Sequence, residues 1–228
     1  MTILLAIETS TDLASVALIS DRQITYRDLS GVQTHSFGLL PAVQDLLHAS
    51  GITLDQLDAI AFGCGPGAFT GVRTACGVVQ GLAFGLQIPV LPVISLLAMA
   101  EAAKNHHQLQ NVVCCLDARM GEVYWAHYGF HEGAWQELYA PALSNLDAAL
   151  DYAQGLQLDL VFGVGLSLPQ AHANLRLVIQ MPHARSALTI AEKYLQDGLR
   201  FDATQAQPLY LRNKIALTTA ERILAASV

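Results

Sequence analysis

At 228 residues the chain is long enough for one ordinary domain or two small lobes and needs no disulfide framework to fold. Apolar residues make up 53% and charged residues only 14%, against the roughly 25% usual for soluble domains, which predicts an unusually buried chain or a surface partly covered by a partner. Twelve Lys and Arg against 19 Asp and Glu give a net charge of −7, and neither residues 1–116 nor residues 117–228 hold an excess of basic side chains, so a stand-alone nucleic-acid binder is disfavoured.

In chain order, residues 3–7, 15–19 and 23–29 are β-rich apolar runs separated by turn residues and predict a three-stranded meander. A helix is expected from Ser36 as cap to His48, with Phe37, Leu39, Leu40, Val43, Leu46 and Leu47 at helical spacing. Pro41 belongs in its first turn or kinks it. Residues 58–64 predict a strand, Gly65-Pro66-Gly67 a tight turn, residues 70–86 a helix capped by Thr70, and residues 88–93 another strand. The nearly apolar stretch 88–100 is broken by Pro89, Pro92 and Ser95 and is shorter than the roughly 18 residues of a membrane span. The first residues have no basic leader and Glu8 cuts their apolar run short, so a cytoplasmic location is expected. Cys64, Cys76, Cys114 and Cys115 show no CxxC spacing and are expected as reduced, buried thiols, with Cys114 and Cys115 on opposite faces of one strand.

The second half repeats the first. Ile7-Glu8 and the following hairpin align with Leu116-Asp117 and the hairpin 122–128, an acid ending the first strand each time. Residues 58–65 align with residues 158–165, and both blocks contain Phe-Gly-x-Gly. The most polar stretch, Lys104-Asn105-His106-His107-Gln108, reads as a linker. The expected division is an N-terminal lobe, 1–104, a C-terminal lobe, 105–216, and a helix within 217–228 packing back on one lobe.

This α/β plan, a duplicated β-β-β-α-β-α core, is similar to the two-lobed actin, Hsp70 and sugar-kinase (ASKHA) fold, whose hairpin loops grip nucleotide phosphates from opposite lobes. Here the loops are Glu8-Thr9-Ser10-Thr11 and Asp117-Ala118-Arg119-Met120. Active members place a glycine where Ser10 stands, so Glu8, Thr9, Ser10 and Asp117 are expected to form vestigial phosphate loops. A small-molecule kinase or nucleotide-binding protein of this fold is the alternative reading. The Gly65–Gly71 loop fits neither GxGxxG nor a Walker A spacing. Gly77, Gly81 and Gly85 recur every fourth residue along the following helix at about 1 kcal/mol each, so something must approach that face closely. Val72, Cys76, Val79 and Ala83 form an apolar seam beside a polar stripe of Arg73 and Gln80. The seam is expected against the Leu39-Val43-Leu46 helix or a second chain. No HExxH suggests a metal, and no GxSxG suggests a serine nucleophile.

The blocks Ile3–Ser10, His35-Ser36 with Leu39-Leu40-Pro41, Gly65-Pro-Gly-Ala-Phe-Thr-Gly-Val-Arg73, Asp117-Ala-Arg-Met-Gly-Glu-Val-Tyr124 and Tyr210-Leu211-Arg212 together resemble the TsaB (YeaZ) family over residues 1 to about 214. The resemblance implies a non-catalytic paralogue of TsaD, the enzyme that forms N6-threonylcarbamoyladenosine beside the anticodon of ANN-decoding tRNAs. It implies a heterodimer with TsaD through the N-lobe helices, entry of the ATPase TsaE into the complex, a homodimer when alone, and contact with tRNA only through the complex. No cofactor of its own is implied; ATP or ADP enters only in the complex. TsaD holds its metal with a His-x-x-x-His, where this chain has Ser95 and Met99. Leu39, Val43, Leu46, Val72, Arg73, Cys76, Val79 and Gln80 are the expected partner-binding residues.

Overall fold

The computed structural model describes residues 2–30 and 32–212; the helix expected within 217–228 lies outside them. The predicted meander is β1 (Leu4–Glu8), β2 (Leu13–Ser20) and β3 (Gln23–Ser30), followed by α1 (Val32–Ala49), β4 (Ala59–Gly63), α2 (Phe69–Leu86), β5 (Val90–Val93) and α3 (Ser95–His107). The second half runs β6 (Asn111–Arg119), β7 (Glu122–His131), β8 (Ala134–Asn145), α4 (Leu146–Gly155), β9 (Leu160–Val164), β10 (Arg176–Ile179) and α5 (Ala184–Gln196). The sheet orders β3-β2-β1-β4-β5 and β8-β7-β6-β9-β10 are the same path drawn twice. In each, the first three strands are antiparallel and the last two run parallel to the first. This is the duplicated actin-like α/β plan. The copy departs from it once: residues 165–175 are too few for a counterpart of α2 and hold only a 3-10 turn, Gln170–His172.

Strand alternation sorts the side chains into three apolar layers. Leu5 and Ile7 of β1 face a layer under α1 and α2, and Leu4 and Ala6 face a layer between the two sheets. Val112, Cys114 and Leu116 of β6 enter that same central layer, and Val113 and Cys115 turn outward under α4. The central layer holds α3 and α5, which exchange halves: α3 packs on β6 and α5 on β1. Alanines on both sides, such as Ala6, Ala61, Ala98, Ala103, Ala187 and Ala191, let the helices lie close to the sheets. A chain with this many buried layers needs few charges, which accounts for its composition.

Residues 104–107 are therefore the last turn of α3 and no linker; Gln108 ends the helix in the left-handed region at φ 55°. The polarity there serves a buried carboxylate: Glu101 accepts from Trp135 Nε1 at 2.7 Å and pairs with Lys104 Nζ at 3.0 Å. All four cysteines are free and buried, and Cys114 and Cys115 face opposite sides, as expected. Burial pushes the Cys64 and Cys115 thiols up to about 12, so neither is a thiolate at neutral pH. Helix α1 begins at Val32, ahead of Ser36, which leaves Pro41 inside the helix, where it forgoes one backbone hydrogen bond. The cap of α2 is Ala68, and no side chain caps it; Thr70 is already helical.

Candidate functional site

Two features stand out: a cleft between the sheets and the outer face of α1 and α2. The cleft, about 610 Å³, opens at the carboxyl ends of β1, β4, β6 and β9, the crevice where open α/β sheets bind ligands. It brings together both predicted hairpin loops, Ser10 to Asp12 and Leu116 to Met120, with the start of α2.

Much of the first loop's hydrogen-bonding capacity is spent within the chain, although the buried Ser10 hydroxyl has no hydrogen-bond partner among the described residues. The Thr9 hydroxyl donates to the Gly71 carbonyl at 2.7 Å, and the Ser10 carbonyl accepts from the Ala68 amide at 2.7 Å. The Ser10 amide donates to Glu8 Oε1 at 2.6 Å. Glu8 itself is fully buried, and its Oε2 accepts from the Ser95 hydroxyl at 2.8 Å. Gly63 makes room for it: a Cβ there would stand 2.0 Å from Glu8 Oε2. A kinase needs these donors turned toward its nucleotide, and here they fasten the loop to α2 and α3. In the second loop Asp117 Oδ1 accepts from the Arg119 amide at 2.8 Å, and Oδ2 pairs with the Arg119 guanidinium at 3.2 Å.

Burial drives the Glu8 pKa above its ordinary 4.5, against the Ser10 and Ser95 hydrogen bonds, which act the other way. A folded-state value above the unfolded one gives stability that is full below about pH 4.5 and is lost as pH rises through the folded-state value. Glu8→Gln keeps an acceptor for the Ser10 amide and offers a donor to the Ser95 oxygen. Urea unfolding between about pH 5 and 8 is expected to show a wild-type stability that falls with pH relative to the variant. Parallel pH profiles would show that Glu8 is ionised in the fold.

The mouth of the cleft is crossed by residues 209–212. The Leu209 amide donates to the Cys64 carbonyl at 2.7 Å, on the side of the first sheet. Arg212 donates to the Ala118 carbonyl at 2.9 Å and pairs with Glu122 Oε2 at 2.6 Å, on the side of the second. Between them the Tyr210 hydroxyl accepts from Arg73 Nε at 2.6 Å. Tyr210-Leu211-Arg212 stood out in the sequence without a role, because the partners named here lie 90 to 137 residues away. No local pattern encodes contacts of that separation.

On the outer helices the structure corrects the expected docking set. Leu39, Val43, Leu46, Val72, Cys76 and Val79 are all buried in the layer between α1, α2 and the first sheet. Helical periodicity marks an apolar face but does not say whether the chain's own sheet or another chain covers it. Arg73 and Gln80 are exposed, on a face shared with Gly77, Gly81, Phe84 and Gly85. A Cβ added at Gly77, Gly81 or Gly85 would meet nothing within 4 Å. Beside this stripe, Phe84 is 75% exposed, and on α1 Phe37 is 86% and Leu40 45% exposed. The sequence pointed to a close approach at the glycines, and nothing among the described residues makes it.

A family model described as TsaD, tRNA N6-adenosine threonylcarbamoyltransferase, matches residues 23–216. The chain is 38% identical over 226 residues to the tRNA threonylcarbamoyladenosine biosynthesis protein TsaB of Haemophilus influenzae, covering 93% of this chain and 94% of that one. It is 36% identical over 221 residues to TsaB of Escherichia coli, covering 93% and 96%. Among solved structures, YeaZ from Pseudomonas aeruginosa superposes with a TM-score of 0.79 at 38% identity, covering 92% of this chain and all of that one. With the duplicated fold, the paired hairpin loops and near full-length identity in agreement, the chain belongs to the TsaB (YeaZ) family of tRNA threonylcarbamoyladenosine biosynthesis proteins.

Proposed function

We propose that this chain is a non-catalytic docking subunit: it pairs with TsaD through the outer face of α1 and α2, is joined by TsaE, and reaches tRNA only as part of that complex. The observation that carries the reading is the open glycine stripe of α2 flanked by exposed Phe84 and Phe37. Three helical glycines cost stability and gain no contact among the described residues, which makes sense where another helix must come near. The non-catalytic part rests on donor chemistry. Ser95, whose hydroxyl is spent on Glu8, and Met99, buried in the central layer, stand where TsaD has histidines, and they do not suit a hard metal ion. A net charge of −7 supports tRNA contact through the partner's surface. No helix among the described residues is long and apolar enough to cross a membrane, and we place the chain in the cytoplasm with its tRNA. In the partner's absence the same face pairs two copies of the chain.

The test is reconstitution. Purified TsaD, TsaE and the remaining pathway components are assayed for threonylcarbamoyladenosine on an ANN-decoding tRNA, with and without this chain. Product is expected only with it, and only when its α1–α2 face is intact. Equal product without the chain would sink the reading.

A further inference from the structure

Helix α2 carries one charged side chain, Arg73, and it lies on the glycine stripe, one turn before Gly77. Its position is fixed with unusual care for an exposed arginine. The guanidinium carbon sits 3.6 Å from the centre of the Phe69 ring and 5.6 Å from that of Tyr210. Nε is held by the Tyr210 hydroxyl, and Tyr210 belongs to the segment tied to both sheets by Leu209 and Arg212. The side-chain entropy that an exposed arginine loses on pairing is thus largely spent before any partner arrives.

This arrangement commits Nε and leaves the two terminal nitrogens without a hydrogen bond or ion pair among the described residues. A helix close enough to use the glycine stripe would cover those nitrogens as well. A cation stripped of water and left unpaired is strongly unfavourable, so the covering surface must supply an anion. The two terminal nitrogens of a planar guanidinium match the two oxygens of one carboxylate. Resting on the docking reading above, we infer that Arg73 is a carboxylate receptor, preset by Phe69 and Tyr210, and that the partner's docking helices carry an Asp or Glu opposite it.

Binding of TsaD is measured by titration at low and high salt. Wild-type affinity is expected to fall as salt rises. Arg73→Lys keeps the charge but not the planar fork and should weaken binding about tenfold; Arg73→Glu should weaken it further and remove most of the salt dependence. Tyr210→Phe keeps the ring and loses the acceptor, so Arg73 is no longer held, and a loss of a few fold is expected with the salt dependence retained. Single Asp or Glu to Arg reversals across the partner's docking helices should include one that restores binding to Arg73→Glu. Arg73→Glu binding within twofold of wild type, or the lack of any restoring reversal, would overturn the inference. Gly81→Arg in the same series separates the two failures. If it blocks binding while Arg73→Glu does not, docking stands and the carboxylate falls; if it binds normally, the docking reading itself falls.

Discussion

Gly81→Arg is expected to abolish binding to TsaD while the chain stays folded and melts at the same temperature or slightly higher. The substitution adds a side chain where a Cβ would meet nothing within 4 Å, so nothing among the described residues resists it. Arginine is also a better helix former than glycine by about 0.8 kcal/mol, which favours the free chain. The new side chain does its harm to a partner approaching from outside. Two helices that approach through small residues leave no gap for a long charged side chain between them. An affinity loss above about 100-fold, near 3 kcal/mol, is the expected scale. Size-exclusion chromatography with TsaD reads the loss, and a thermal melt shows the fold intact. Normal co-elution would place the partner elsewhere. Val79→Arg, the replacement that helical periodicity alone would suggest, tests nothing about docking: Val79 is fully buried, and an unpaired charge there reports only on folding.

That difference between Gly81 and Val79 shows what was legible in the sequence. The short apolar run Leu4 to Ile7 and the paired Phe-Gly-x-Gly blocks carried the duplicated sheets, because a strand buried on both faces has a short apolar signature. The glycine period carried the open face of α2. Three things were not legible, each for a physical reason. The polar run 104–108 looked like a linker because a helix's last exposed turn and a loop share the same composition. The Leu39 to Val79 seam looked like an interface because burial by one's own sheet and by a partner leave the same pattern. The brace from Arg73 through Tyr210 to Arg212 exists only after folding brings residues 73 and 118 to the segment 210–212.

Gly67→Ala tests the opposite use of glycine and is expected to be among the most destabilising small changes in the chain. A Cβ at Gly67 would stand 2.4 Å from the Ser10 carbonyl oxygen and 2.6 Å from the Ser10 Cβ. Neither atom is the end of a flexible side chain, and the same carbonyl accepts the Ala68 amide at 2.7 Å. Backbone must therefore move, and the contact that seats the start of α2 on the first hairpin loop is the first to go. A loss of about 3 kcal/mol is expected, or roughly 6 to 12 °C in melting temperature for a chain of this size. Gly77→Ala is the matched control, with its Cβ in open space, and should raise stability by about 1 kcal/mol. If both substitutions destabilise alike, the glycines of α2 are held by something within the chain, and the case for an outside helix loses its footing. If they move in opposite directions, the stability that wild type forgoes at Gly77 has no explanation among the described residues. A surface kept bare at that cost, and covered by nothing among the described residues, is what selection for a close-packed partner would leave behind.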